Sequence, residues 1–177
     1  MPCDSVPRVP IQGGRNKSAM SGFSINLGVV KQGHSRVRLA AAAKDLDLPE
    51  AEWPGEVQAE LDVERNGEKL TLRGLASAAA RLECVRCLRP FEHPFEVELT
   101  VYADRSGSSR RDEQDDLERD HMMKFHDGRQ LDLGDETREA LLIEFPITPR
   151  CSEDCKGLCP RCGADLNQGP CGCSAQS

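Results

Sequence analysis

The chain is poor in the materials of a large apolar core. Only seven of its 177 residues are aromatic (one Trp, one Tyr, five Phe), and 38% are hydrophobic. Its apolar runs stop at three to five residues, far short of the roughly 18 that a membrane-spanning helix needs. A membrane helix is thereby excluded. No apolar h-region opens the chain, so no secretory signal is expected. It also lacks the G-x-x-x-x-G-K-[ST], G-x-G-x-x-G and G-x-S-x-G patterns. Phosphate loops, dinucleotide folds and nucleophile elbows therefore have no signature here. No carboxylate pair stands out from the general acidity. We expect no enzyme activity and no small-molecule substrate.

What the chain has instead is cysteine. Nine are present, and eight of them fall into close pairs: Cys84/Cys87, Cys151/Cys155, Cys159/Cys162 and Cys171/Cys173, with Cys3 apart. Without a secretory signal the expected compartment is the cytoplasm, where thiols stay reduced, and paired reduced cysteines point to metal. Charge is unevenly spread. The net charge is −7, but residues 1–44 hold seven basic residues and one acid, leaving −13 for the rest. Much of that sits in the run Asp112, Glu113, Asp115, Asp116, Glu118 and Asp120.

The pattern divides the chain into three parts. Residues 1–22, with three prolines and two adjacent glycines among polar residues, read as a flexible basic arm. Residues 23–150 read as an antiparallel β domain. Val37, Leu39 and Ala41 alternate with Arg36, Arg38 and Ala40. Val57, Ala59, Leu61 and Val63 alternate with Gln58, Glu60, Asp62 and Glu64, the period of a half-buried strand. Asn66-Gly67 marks a hairpin. A returning face of Leu70, Leu72, Ala76, Ala78, Ala80, Leu82 and Cys84 follows, then Phe91, His93, Phe95, Val97, Leu99 and Val101.

Residues 56–102 thus predict a three-stranded meander, with the earlier strands extending it into a meander or barrel-like sheet. Pro94 requires an edge or a bulge. An exposed acidic insert is expected at about 104–120. A short helix is expected at about 132–145, capped by Asp132 or Asp135 and stopped by Pro146 and Pro149. The fold class is α+β, mainly antiparallel β, with a Cys-rich, zinc-binding tail at 151–177. That tail has too little apolar content to order itself by burial.

Cys84-Val85-Arg86-Cys87 falls at a turn between two strands, where both thiolates face one ion. Cys159-Pro160-Arg161-Cys162-Gly163 repeats the spacing, with a glycine free to take positive φ. Four sulfurs suit a closed, structural zinc site, and eight ligands would make two. Short loops cost less to close, which favours Cys159, Cys162, Cys171 and Cys173 as one site and Cys84, Cys87, Cys151 and Cys155 as the other. The rival pairs Cys84/Cys87 with Cys159/Cys162, and a single site is a third option. A redox C-x-x-C usually opens a helix, where the dipole lowers a thiol pKa. This one caps a hairpin, yet a thiol-disulfide protein stays an alternative. His93 reads as a core residue, and His34 as an exposed turn residue. His121 and His126 lack a ligand pattern. Met122-Met123 reads as a packing contact.

The segment Leu82-Glu83-Cys84-Val85-Arg86-Cys87-Leu88-Arg89-Pro90-Phe91, the strand ending Val101-Tyr102, Asp132-Leu133-Gly134, Phe145-Pro146-Ile147, and the block from Cys151 to Asn167 together resemble the YceD-like large ribosomal RNA subunit accumulation protein family, over roughly residues 25–173. The resemblance implies a cytoplasmic accessory factor for accumulation of large-subunit (23S) ribosomal RNA, through rRNA processing or ribosome assembly. Some members of the family lack the last two cysteine pairs, which supports Cys84, Cys87, Cys151 and Cys155 as one unit.

The expected partner is a ribosomal RNA precursor or a large-subunit ribosomal protein. An acidic chain is a poor general phosphate binder, so RNA contact would fall to local cations. The candidates are Arg36, Arg38, Arg81, Arg86, Arg89, Arg150, Lys156 and Arg161. The same residues could instead offset thiolate charge. The alternative function is an acidic module that holds a basic ribosomal protein.

Overall fold

A computed structural model describes residues 22–105 and 123–175. The N-terminal arm with Cys3, most of the acidic insert, His121 and Met122 lie outside the described residues. Among these residues seven strands and one α-helix follow in order: β1 (Ser24–Asn26), β2 (Gly33–Ala42), β3 (Glu56–Asn66), β4 (Lys69–Glu83), β5 (Pro90–Arg105), β6 (Met123–His126), β7 (Gln130–Asp132) and α1 (Gly134–Ile143). Short 3-10 turns cover Ala43–Leu46 and Gly172–Ala175.

The main sheet has the order β2-β3-β4-β5-β6. Its first four strands pair antiparallel with their sequence neighbours, and β6 joins β5 in parallel. β2 and β6 are its two edges, so the sheet does not close into a barrel. Alternation decides which face is buried. Val57, Ala59, Leu61 and Val63 on β3, Leu70, Leu72, Ala76, Ala80 and Leu82 on β4, and Phe95, Val97, Leu99 and Val101 on β5 all point inward. The intervening Glu60, Asp62, Arg73, Glu96 and Glu98 are exposed. Among the described residues, no helix is long and apolar enough to cross a membrane.

The structure departs from the sequence reading in several places. β1 does not extend the main sheet; it pairs with β7 as a separate two-stranded unit, Ile25 opposite Leu131. The hairpin centre lies one residue later than Asn66-Gly67. Asn66 pairs with Lys69, and only Gly67 of the two loop residues has positive φ (64°). His34 belongs to strand β2, opposite Glu64, not to a turn. His93 is exposed, its ring edge-on to Phe91 and Phe95. Pro94 does sit on an open edge, because β6 covers β5 only at Tyr102–Arg105.

Helix α1 starts at Gly134 with Leu133 at the cap position and no side-chain cap. Asp132 still accepts the Gly134 amide (2.8 Å), from one residue further back. Leu133 and Leu141 are buried against the core, whereas Leu142 and Ile143 are exposed. The single tryptophan, Trp53, is 1% exposed. It packs on Phe95 (centroids 5.1 Å) and Phe145 (5.9 Å), and those two rings stack on each other at 6.0 Å. This aromatic trio fixes the end of α1 to β5, next to the cysteine-rich end of the molecule.

Candidate metal centre

Strands β4 and β5 are the two longest in the sheet, and their common tip carries Cys84-Val85-Arg86-Cys87. The turn is closed by the Leu88 amide donating to the Cys84 carbonyl (2.8 Å) and the Cys84 amide donating to the Arg89 carbonyl (3.0 Å). The segment after α1 returns to this tip. The Val85 amide donates to the Pro149 carbonyl (2.9 Å), and the Leu158 amide to the Arg86 carbonyl (3.0 Å). Gly157 makes this approach feasible. Its φ is +75°, and a Cβ there would lie 2.9 Å from the Arg86 carbonyl oxygen.

The result places Cys84, Cys87, Cys151 and Cys155 with all four sulfurs within 4.8 Å of one another. Cys84 to Cys155 and Cys87 to Cys151 are each 3.7 Å, well beyond the ~2.05 Å of a disulfide. Cys84 and Cys155 are almost fully buried.

A second knuckle is stacked on the first. Leu158 bridges Asp165, the Cys159 amide donates to Ala164 (2.8 Å), and the Gly163 amide returns to the Cys159 carbonyl (2.8 Å). Cys159, Cys162, Cys171 and Cys173 converge there, again within 4.8 Å. This group is more open, with Cys162 exposed. The grouping is the local one; Cys84/Cys87 and Cys159/Cys162 belong to different clusters. The knuckles differ at one position. Gly163 takes φ of 72° after the second, but Leu88 takes 56° after the first, where a Cβ is sterically costly.

In each cluster a thiol at the knuckle is held well below its ordinary value. Cys84 falls to about 6, mainly because the Cys151 amide, then those of Cys87 and Arg86, point at its sulfur. Cys159 falls to about 6 through the amides of Cys162 and Arg161. One neighbour in each cluster moves far the other way. Burial, then the adjoining sulfurs, pushes Cys151 up to about 12. Contact with Cys162, then burial, pushes Cys173 up to about 12. Four thiols this close cannot all ionise unaided, and a bound cation removes that conflict. Either group could hold a metal ion.

Two residues that the sequence reading did not single out tie the clusters together. Asn167, in the loop between Cys162 and Cys171, accepts the Lys156 amide at Oδ1 (2.8 Å) and points Nδ2 at Cys155 Sγ (3.5 Å). Asp165 receives the Asn167 amide (2.9 Å) and pairs with Arg89 of the first knuckle (2.6 Å). These contacts, led by the Asn167 amide, hold its carboxyl at about 2. In sequence, Asp-x-Asn reads as an ordinary turn signal.

The candidate cations separate into two groups. Arg36 is paired with Asp62 (2.9 Å) and Arg38 with Glu60 (3.1 Å) across strands β2 and β3. Arg86 donates to the Cys155 carbonyl (2.8 Å), and Arg89 is held by Asp165. Arg81, Arg150, Lys156 and Arg161 are exposed, with no side-chain partner among the described residues. His126, far from both clusters, is buried. It accepts the Gly128 amide at Nδ1 (3.0 Å) and faces the Glu68 carbonyl with Nε2 (3.2 Å).

An antiparallel sheet whose central hairpin ends in a C-x-x-C knuckle, stitched to a C-terminal strap carrying a second knuckle, defines a β protein with two tetracysteine clusters. The family described as "Large ribosomal RNA subunit accumulation protein YceD" matches residues 72–177, and the chain belongs to it.

An uncharacterized protein of Mycobacterium leprae is 32% identical over 121 residues, covering 68% of this chain and 54% of its own. The large ribosomal RNA subunit accumulation protein YCED homolog 1, chloroplastic, of Zea mays is 28% identical over 169 residues, covering 81% of this chain and 58% of its own. Its Arabidopsis thaliana namesake is 27% identical over 176 residues, covering 86% and 55%. The chain spans about half the length of the curated relatives it matches. No solved structure matches it.

Proposed function

We propose that the chain is a cytoplasmic, non-enzymatic accessory factor for accumulation of large-subunit (23S) ribosomal RNA, with structural zinc in both cysteine clusters. Family membership carries the biological role. The donor set supports the metal. Zinc–sulfur bonds of about 2.3 Å put tetrahedral neighbours about 3.8 Å apart, and the 3.7 Å pairs of the first cluster match that spacing. Cys84, Cys87, Cys151 and Cys155 would hold one ion, and Cys159, Cys162, Cys171 and Cys173 the other. Four sulfurs per ion leave no position for a reacting water, so the metal orders the strap instead of catalysing. The ion supplies the ordering energy that the apolar-poor strap lacks.

The cations best suited to RNA phosphates are the four without partners, Arg81, Arg150, Lys156 and Arg161. Arg36 and Arg38 are already neutralised by carboxylates. The test has two parts. Zinc stoichiometry of chain purified without added metal should approach two. Binding of a 23S precursor fragment at two salt concentrations should weaken on Arg150→Glu and Arg161→Glu, and much less on Arg36→Glu. Absence of zinc with a reducible Cys84–Cys87 bridge would instead favour thiol-disulfide chemistry. Normal 23S levels in cells lacking the chain would refute the role itself.

A further inference from the structure

The two cysteine clusters are not equally protected. In the first, Cys84 is 0% exposed, Cys155 1% and Cys87 7%, and Phe91 and Leu158 pack against them. In the second, Cys162 is exposed, Cys171 and Cys173 are half-buried, and only Cys159 is buried. From Pro160 to Cys173 no residue is buried.

That stretch is held by few contacts. The Leu166 amide donates to the Gly157 carbonyl (2.9 Å), Asp165 pairs with Arg89, and Asn167 reaches Lys156 and Cys155. With no apolar burial behind them, such contacts order a loop only while its ends are fixed. Cys159 and Cys162 fix one end, and Cys171 and Cys173 the other. Their four sulfurs lie within 4.8 Å of one another, so a small movement brings two of them to the ~2.05 Å of a disulfide. Cys173 is in direct hydrogen-bond contact with Cys162. Exposure decides which thiolate an oxidant reaches first, and here it is Cys162.

We propose that Cys162 is an oxidation site, and that a hydroperoxide converts the second cluster from a metal clasp into a Cys162–Cys173 disulfide while the first cluster keeps its ion. The inference rests on reading both clusters as metal sites. The Cys162 thiolate attacks the O–O bond of hydrogen peroxide, takes one oxygen as a sulfenic acid and releases hydroxide. The Cys173 thiolate then displaces that oxygen as a second hydroxide, and the S–S bond forms. Two thiolates have given two electrons to one peroxide, and two protons from solvent turn the hydroxides into water. The ion, left with only Cys159 and Cys171, passes to solvent. The loop loses two of its four anchors, so the Asp165 clamp on Arg89 and the Asn167 cover on Cys155 loosen. A dithiol reductant and zinc reverse the change. A thiol-disulfide enzyme working through Cys84 and Cys87 is a different case, since those sulfurs here stay reduced.

The test starts from the measured zinc content of the purified full chain. Hydrogen peroxide is then added with a chromophoric zinc indicator. Disulfides are mapped by peptide mass spectrometry, and amide hydrogen exchange is followed over 156–175. The expected result is loss of one of two zinc ions, a Cys162–Cys173 bridge, and faster exchange over 163–170 with β4 and β5 unchanged. Dithiothreitol with zinc should restore the starting state. Cys162→His, which keeps a ligand but no oxidisable sulfur at that position, should retain both ions under the same peroxide. Release of both ions together, no release, any other bridge, or equal release from Cys162→His would overturn the proposal and leave the metal reading intact. A zinc-free chain at the outset would overturn both. If Cys162→His binds a single ion, the bridge mapped in the parent decides alone.

Discussion

Asn167 offers the sharpest test of whether the two cysteine clusters act as one unit. It belongs to the loop of the second cluster, yet its side chain serves the first, through Cys155 Sγ (3.5 Å) and the Lys156 amide (2.8 Å). Asn167→Ala removes both contacts to the first cluster, together with the Nδ2 bond to Asp165 (2.7 Å) inside its own loop. A neutral hydrogen bond at an exposed site contributes about 1 kcal/mol, and one to a charged acceptor about 1.5–3 when well formed. The bond to sulfur is long and partly exposed, so we take about 1 kcal/mol for each. The sum, about 2 kcal/mol, corresponds to roughly a 30-fold loss of zinc affinity at the first cluster, within the usual 10–100-fold range for groups that support metal ligands.

The assay is competition of fully loaded chain against a chromophoric chelator, with total zinc measured independently. Two release phases are expected, and the tighter should weaken in the variant. Asn167→Asp should weaken it further, since a carboxylate then faces a thiolate. Gln168→Ala, which loses only a 3.4 Å contact to Asp165, should stay near the parent. If Asn167→Ala leaves the first cluster's affinity intact, or affects only the more exposed second one, the coupling argument is wrong.

Other outcomes follow from the same geometry. Leu88→Gly should raise stability by about 1 kcal/mol, or roughly 2–4 °C in melting temperature, by relieving a left-handed leucine that is mostly exposed. Gly157→Ala places a Cβ against the Arg86 carbonyl at positive φ, and should cost one zinc equivalent by plasma emission analysis while leaving the strand circular dichroism in place. Zinc retention should fall as pH falls, because protons compete for the thiolates; titration on a zinc indicator between neutral and acidic pH checks the direction. Chelation should make residues 151–175 sensitive to protease before the sheet, since that strap has little apolar burial of its own.

The sheet was legible wherever its alternation was long. Val57 to Val63, and Phe95 to Val101, each expose one polar face and bury one apolar face, and no other structure satisfies that period. β1 and β7 were not legible: three residues each carry no period, and their partnership spans about a hundred residues. The helix start moved because Asp132 serves the Gly134 amide from outside the cap position. Leu142 and Ile143 follow Leu141 directly yet stay exposed, because the helix turns only Leu141 of the three toward the core. For the clusters, loop closure and the family resemblance both favoured the local grouping, and the fold brings the sulfurs together in those two sets. Asp165 and Asn167 went unnoticed because short polar residues in a Gly/Pro-rich loop explain themselves as turn formers. Only the fold brings them beside Arg89 and Cys155.

Trp53 gives the molecule an internal gauge. It is the one indole in the chain, sealed from water between Phe95 of the sheet and Phe145 at the root of the cysteine strap. Its emission should be short in wavelength while that trio holds. Stripping metal from the strap while the sheet stays intact would disturb one neighbour of the ring and spare the other. Global unfolding would release both. A small red shift on chelation followed by a large one in denaturant would therefore report, with no label attached, that strap and sheet let go in separate steps.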